Sequence, residues 1–166
     1  AAAFRIMKRI KRIDWQEKLK SENLTWQGIY HLVILPFYKE SEEVIKPTLM
    51  ALAESNYPVK EKMIVVLARE ARAGGEAQKI SEKIEKEFGN KFFKFLSTEH
   101  PKDIPGELAG KGSNTAWAGR KAKELIDKLG LNYEKIIVSS FDIDTVSPPD
   151  YFSRLTYVFL TAEDRL

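Results

Sequence analysis

The sequence predicts an α/β domain of three layers, a mostly parallel sheet with helices over both faces. Two patterns lead there. Leu32-Val33-Ile34-Leu35, Met63-Ile64-Val65-Val66-Leu67 and Ile136-Ile137-Val138 are short, unbroken apolar runs, which suit strands buried on both faces. Between them lie segments whose apolar residues recur every three or four positions, the spacing of a helix with one buried face. When the two alternate, successive strands run parallel, and right-handed crossovers bring their ends together along one edge of the sheet.

Taken in order, residues 4–20 read as a basic amphipathic helix, with Phe4, Ile6, Met7, Ile10, Ile13 and Trp15 interleaved among Arg5, Lys8, Arg9, Lys11 and Arg12. That segment suits either a solvated helix packed on the domain or a stretch beside a membrane, where Lys and Arg accumulate and Trp sits near the interface. Residues 1–29 are read as this lead-in helix and a linker, and residues 30–166 as the domain proper. The first strand ends at Pro36. A helix follows from about Ser41 to Ser55, with Pro47 marking either a kink or its first turn. After the second strand, Ala77, Ile80, Ile84 and Phe88 define a charged amphipathic helix that stops at Gly89. Phe92 to Leu96 reads as a third strand and residues 98–112 as a loop. A helix opens near Ser113 and ends at Gly130. The fourth strand runs into Phe141-Asp142, and Pro149 opens a last helix carrying Tyr151, Phe152, Leu155, Val158 and Phe159.

Composition narrows the chemistry. The chain has 166 residues, 43% hydrophobic and 31% charged, which suits one globular core. A net charge of +3, with basic and acidic residues mixed along the same segments, gives no reason to expect a nucleic-acid partner. Cysteine is absent and only two histidines occur, His31 and His100. Disulfides, thiolate nucleophiles, thiolate-bound zinc and multi-histidine metal sites are therefore excluded, and a reducing compartment fits. No run approaches the roughly 18 apolar residues that would span a bilayer. The start, Ala1-Ala2-Ala3-Phe4, lacks an initiator Met and any secretory signal, so the chain reads as an excerpt of a longer protein.

The strongest local signal is Ser139-Ser140-Phe141-Asp142-Ile143-Asp144-Thr145. Two carboxylates one residue apart at the end of a buried strand can both reach one hard divalent cation, Mg2+ or Mn2+. Such ions keep several waters and take further oxygen ligands from a diphosphate. The alternative is a solvated turn that leads into the next helix. A second signal is Gly110-Lys111-Gly112-Ser113-Asn114, where Ser113 or Asn114 would cap a helix. The free N–H groups there would attract phosphate beside the mobile charge of Lys111. Either that or an ordinary glycine loop fits the pattern. Glu70, ending the second strand, can hydrogen-bond a base or ribose or simply be solvated. Phe37 and Tyr38 can stack on a base or seal the sheet edge. Trp117 reads as core, and His31 and His100 have no partner in view.

Three of these segments, in order, resemble the family-2 inverting glycosyltransferases. Ile34-Leu35-Pro36-Phe37-Tyr38-Lys39-Glu40 is similar to their opening strand, and Lys111-Gly112-Ser113-Asn114 to their Lys- or Gly-rich segment ending in Asn. Phe141-Asp142-Ile143-Asp144-Thr145-Val146 followed by Pro148-Pro149-Asp150-Tyr151-Phe152 is similar to their aspartate pair with its trailing helix. The resemblance implies a Rossmann-like GT-A fold, here incomplete at its C-terminal end. It also implies a nucleotide-sugar donor, a divalent metal, and a glycan or lipid acceptor. By position Asp144 would be the principal metal ligand, and Asp142 would contact metal, ribose or sugar. Pro36, Phe37, Tyr38 and Glu70 would flank the base, with Lys111 and Asn114 facing the diphosphate or donor sugar. The family's catalytic base would lie beyond Leu166, so the excerpt alone would not complete transfer. Many relatives are anchored at the cytoplasmic face of a membrane, which fits the basic lead-in. Two departures stand out: Lys39 replaces the usual Asn, and Leu67-Ala68-Arg69-Glu70 replaces a strand ending in paired aspartates.

Two other readings compete. Asp142-Ile143-Asp144-Thr145-Val146 also fits the nucleophile loop of haloacid-dehalogenase-type phosphatases, but that loop normally follows the first strand and here about four strands precede it. A non-catalytic nucleotide-binding or scaffold module would keep the fold without turnover.

Overall fold

The computed structural model describes residues 13–162. Strands β1 (Tyr30–Phe37), β2 (Met63–Glu70), β3 (Lys94–His100) and β4 (Ile136–Ser140) form one sheet in the order β3-β2-β1-β4, with every pair parallel. The helices among the described residues are α1 (Trp15–Ser21), α2 (Glu42–Ala53), the single turn α3 (Val59–Lys62), α4 (Gly75–Phe88), α5 (Lys111–Leu129) and α6 (Tyr151–Thr161). None is long and apolar enough to cross a membrane.

The unbroken apolar runs are explained by burial on both sides of the sheet. Val33, Leu35, Met63, Val65 and Leu67 face a cluster containing Ile45, Leu49 and Leu52 of α2, Ile80, Ile84 and Phe88 of α4, and Phe152 of α6. Leu32, Ile34, Ile64, Val66 and Ala68 face Ala118, Ala122 and Ile126 of α5, which covers the other face. Helix α5 ends at Gly130 in the left-handed conformation, with φ 64°, a helix stop that glycine adopts without strain.

Several boundaries differ from the sequence-based expectation. β1 runs past Pro36 to Phe37. Its partner β4 stops opposite Ile34, so Pro36 stands where β1 has lost one neighbour and a missing N–H is tolerated. β3 starts at Lys94 rather than Phe92. Phe92 is instead a core residue at the foot of the strand, and the pairing with β2 runs from Lys94 through the polar half Ser97 to His100. An edge strand needs less apolar character, which is why the loop expected from residue 98 is part of the sheet. Pro47 lies inside α2, beyond its first turn, where it cannot donate to the carbonyl four residues back. Pro149 precedes α6 rather than opening it, and its carbonyl accepts hydrogen bonds from the Asn56 N–H (3.0 Å) and the Ser55 hydroxyl (3.1 Å).

Of the basic lead-in expected over residues 4–20, residues 4–12 lie outside the described part. The remainder is helical from Trp15 and packs on α6. Trp15 and Tyr157 rings meet at 5.3 Å, and the Ser153 hydroxyl donates to Gln16 Oε1 at 2.9 Å.

Candidate functional site

The connections β1 to β2 to β3 step in one direction across the sheet, whereas β4 lies on the other side of β1. In an open parallel sheet the crevice outside the carboxyl ends of two such strands is the usual ligand position. Here that crevice collects the segments after β1 and β4, joined from the side by the start of α5.

After β4 the chain stays tied to the sheet for one more residue, because Phe141 N–H donates to Ile34 O at 3.1 Å. It then turns, with Thr145 N–H donating to Asp142 O at 2.9 Å. Within that turn Ile143 is buried in the core, and the hydroxyl of Thr48 in α2 donates to its carbonyl at 2.6 Å. Burying the middle residue leaves Asp142 and Asp144 exposed on either side. An apolar anchor thus fixes where two carboxylates emerge. Replacing Thr48 with valine leaves the Ile143 carbonyl without its donor and should cost about 1–2 kcal/mol, read as a lower urea midpoint at unchanged slope.

Helix α5 begins two residues earlier than the sequence suggested. Gly110 is the capping residue, not Ser113 or Asn114. The Ser113 hydroxyl reaches back to accept from Gly110 N–H (3.2 Å) and to donate to Gly110 O (2.9 Å), while Asn114 N–H makes the first helical bond to Gly110 O at 3.0 Å. No heavy atom, its own chain neighbours and helix backbone apart, lies within 4 Å of where a Cβ would stand on Gly110 or Gly112. The glycines therefore leave space beside this helix start, whose first-turn N–H groups have no intrahelical acceptor and are of the kind that attract an anion. The Lys111 ammonium pairs with the Asp142 carboxylate, which joins the glycine-lysine segment to the acidic turn 31 residues away in sequence.

Six of the residues singled out in the sequence, Pro36, Phe37, Tyr38, Glu70, Lys111 and Asn114, line one cleft of about 90 Å³ together with Glu40. Asp142 reaches that group through Lys111. Glu40 Oε2 accepts from the Tyr38 and Lys39 N–H groups, at 2.6 and 3.0 Å, and so shapes the turn after β1. Phe37 is part of the core and seals the sheet, leaving Tyr38 as the half-exposed ring. Glu70 is neither solvated nor free. It is 4% exposed and both its oxygens are engaged by Arg72, Oε1 at 3.2 Å from Nη2 and Oε2 by Nε. The Arg72 guanidinium also stands 4.7 Å from the Tyr38 ring centre, a cation–π contact. Arg72 is the site residue the sequence did not bring out. Its one signal was a basic residue two positions after a strand-terminal acid, and that spacing is common on any surface.

Beside this cleft a second cavity of about 140 Å³ is bounded by Glu70, Arg72, His100 and the loop after β3. His100, for which the sequence put no partner in view, is buried and hydrogen-bonds Glu107 at 2.9 Å. Glu107 also accepts from Arg120 at 3.1 Å. The His100 contact, with Arg120 behind it, holds the Glu107 carboxyl below the usual carboxylate range. Trp117 is half-buried rather than core, edge-on to His100 at 5.8 Å. His31 is fully buried and bonded to the Thr156 hydroxyl at 2.8 Å.

Among the described residues no three His, Cys, Asp or Glu side chains cluster as a metal site. The donor set at the acidic turn is two exposed carboxylates. It fits a hard cation that keeps waters and shares a substrate's phosphate oxygens, and not a cage built from protein ligands alone.

No family model and no curated protein matches the sequence. Among solved structures, the crystal structure of S. aureus TarS 1-349 aligns with 79% of this chain at 21% identity and a TM-score of 0.55. A second S. aureus TarS crystal structure aligns with 79% at 19% identity and a TM-score of 0.47. The chain spans 32% of the first structure's length. With its parallel sheet between helical layers, the chain has a Rossmann-like α/β topology of the GT-A type.

Proposed function

We propose that this chain is the donor-binding part of a glycosyltransferase, holding a nucleoside-diphosphate sugar together with a divalent cation, Mg2+ or Mn2+. The observation that carries the reading is the meeting of two sequence-distant elements at the sheet's carboxyl edge. The acidic turn Asp142–Thr145 and the glycine-lysine start of α5 touch through Lys111 and Asp142, beside the cleft that Tyr38 and Glu70 line. A diphosphate needs both features: N–H donors and an ammonium for its own oxygens, and carboxylates for the cation it shares.

Asp142 and Asp144 would hold the cation, which when bound supplies positive charge to the leaving diphosphate. Lys111, which pairs with Asp142, would turn its ammonium to phosphate when that carboxylate holds a cation. The first-turn N–H groups of α5 would orient the same anion. Tyr38, with Arg72 over its ring, forms the wall against which a base would stack. The acceptor is a glycan or lipid in this reading. In this reading the basic segment before Trp15 would attach the domain to the cytoplasmic face of a membrane.

The test is calorimetry with Mn2+ and nucleoside diphosphates on the wild type and Asp144→Ala. The exposed position of Asp144 means the variant should keep its melting temperature while Mn2+-dependent nucleotide binding disappears. Equal affinities for the two proteins with metal present would reject the assignment.

A further inference from the structure

We propose that Arg72 reads the base of the bound nucleotide and selects one with two adjacent hydrogen-bond acceptors on an edge, guanine or cytosine, over uracil or adenine. The inference rests on the donor-binding reading above and narrows the substrate class of that site. Arg72 carries five N–H donors in one rigid plane. Its Nε and Nη2 donate to the two oxygens of Glu70, which is 4% exposed and so holds the guanidinium from a fixed position. This side-on pairing leaves one N–H on Nη2 and both on Nη1, and none of the three has a hydrogen-bond partner among the described residues. Unlike its anchor, Arg72 is accessible. Its side chain is 42% exposed, lines the cavity of about 140 Å³ beside the cleft, and stands over the Tyr38 ring.

With the side-on edge taken, the guanidinium offers its end-on edge, one N–H from each Nη, parallel and in one plane. Such a pair matches two neighbouring acceptors. Guanine presents O6 and N7 in that way, and cytosine O2 and N3. Uracil has an N–H between its two carbonyls, and adenine an amino group between N1 and N7, so each meets the pair with one acceptor only. The acids around the cavity point the same way. Glu70 is held by Arg72, and Glu107 is engaged by His100 and Arg120, so neither is a free acceptor for the N–H groups of a base. Asp103, the third acid there, is exposed on the loop after β3. The roles are therefore divided: the buried acid anchors, and the arginine reads.

The experiment is a set of calorimetric titrations with Mn2+ on the wild type and Arg72→Lys. The ligands are GDP, CDP, UDP, ADP and 7-deaza-GDP, in which carbon replaces N7. Lysine keeps a positive charge beside the buried Glu70 but has no planar pair of donors. The readout is the ratio between bases on one protein, which a general loosening of the fold leaves unchanged. The wild type should bind GDP or CDP about 10-fold or more tighter than UDP and ADP. Where GDP is the preferred ligand, 7-deaza-GDP should lose that advantage on the wild type itself. Arg72→Lys should bind the bases alike. If UDP or ADP binds as tightly as the better of GDP and CDP, as a base read by Asp103 through its N–H groups would, this assignment is overturned and the donor site stands. A preference that survives in Arg72→Lys, or a favoured GDP that 7-deaza-GDP equals, overturns it as well. If the wild type binds none of the nucleotides, the donor-binding reading falls and takes this inference with it.

Discussion

Truncation of Phe152 to alanine is expected to cost about 3–5 kcal/mol of stability, the range for deleting a fully buried aromatic ring. Phe152 is 0% exposed. Its ring packs against Tyr151 at 5.0 Å, His31 at 4.9 Å and Phe141 at 6.2 Å, so one side chain joins α6, the foot of β1 and the residue leading into the acidic turn. The loss has two parts, the transfer energy of the ring and the cavity left where neighbours cannot close in. Because Phe141 leans on this ring, the damage should reach Asp142 and Asp144 as well. Chemical denaturation reads the stability term, and hydrogen exchange at residues 141–145 should speed up more than at β2. A loss below about 1 kcal/mol would mean that the packing around α6 differs from that described.

The second large effect is an acid instability centred on His31. Burial, with the Thr156 hydroxyl and the rings of Tyr57 and Phe152 around it, pushes the imidazole down to about 3 from its ordinary 6.5. The unfolded chain therefore takes up a proton that the folded chain refuses. With the folded value depressed, stability is whole above about pH 6.5 and falls as pH drops toward 3. At pH 5, roughly 1.5 units below the unfolded value, this one group should lower stability by about 2 kcal/mol relative to pH 7. Urea midpoints measured from pH 7 to 5 give the slope. His31→Gln will be less stable at every pH, but its slope over that range should be flatter by this amount. An unchanged slope would show that another group is responsible.

How much of this was legible in the sequence depended on whether the cause was local. β1 and β2 stand out because both their faces are buried, so every residue from Leu32 to Leu35 and from Met63 to Leu67 had to be apolar. β3 lies at an edge, and its polar half resembled a loop. The acidic pair and the glycine-lysine segment were visible as short motifs, and their neighbourhood followed from the order of strands. Their contact was not, since nothing in the chain announces that Lys111 and Asp142 meet across 31 residues. The partner of Glu70 was hidden for the same kind of reason. A strand-terminal acid is normally wet, and only the fold of Arg72 back over it lets it be buried. The cap of α5 was misplaced because Ser113 is a good capping residue by type. Its hydroxyl does bond the helix start, but from inside the first turn.

The two borders of the sheet are unequal. β3 carries Lys94 and Glu99, the latter ion-paired to Arg69 on the neighbouring strand. Charges of that kind guard an outer strand against strangers. β4 has only β1 beside it among the described residues, holds no charge from Ile136 to Ser140, and leaves Val138 60% exposed. Its outer row of amides and carbonyls has no strand beside it among the described residues, the kind of border at which a sheet can be extended.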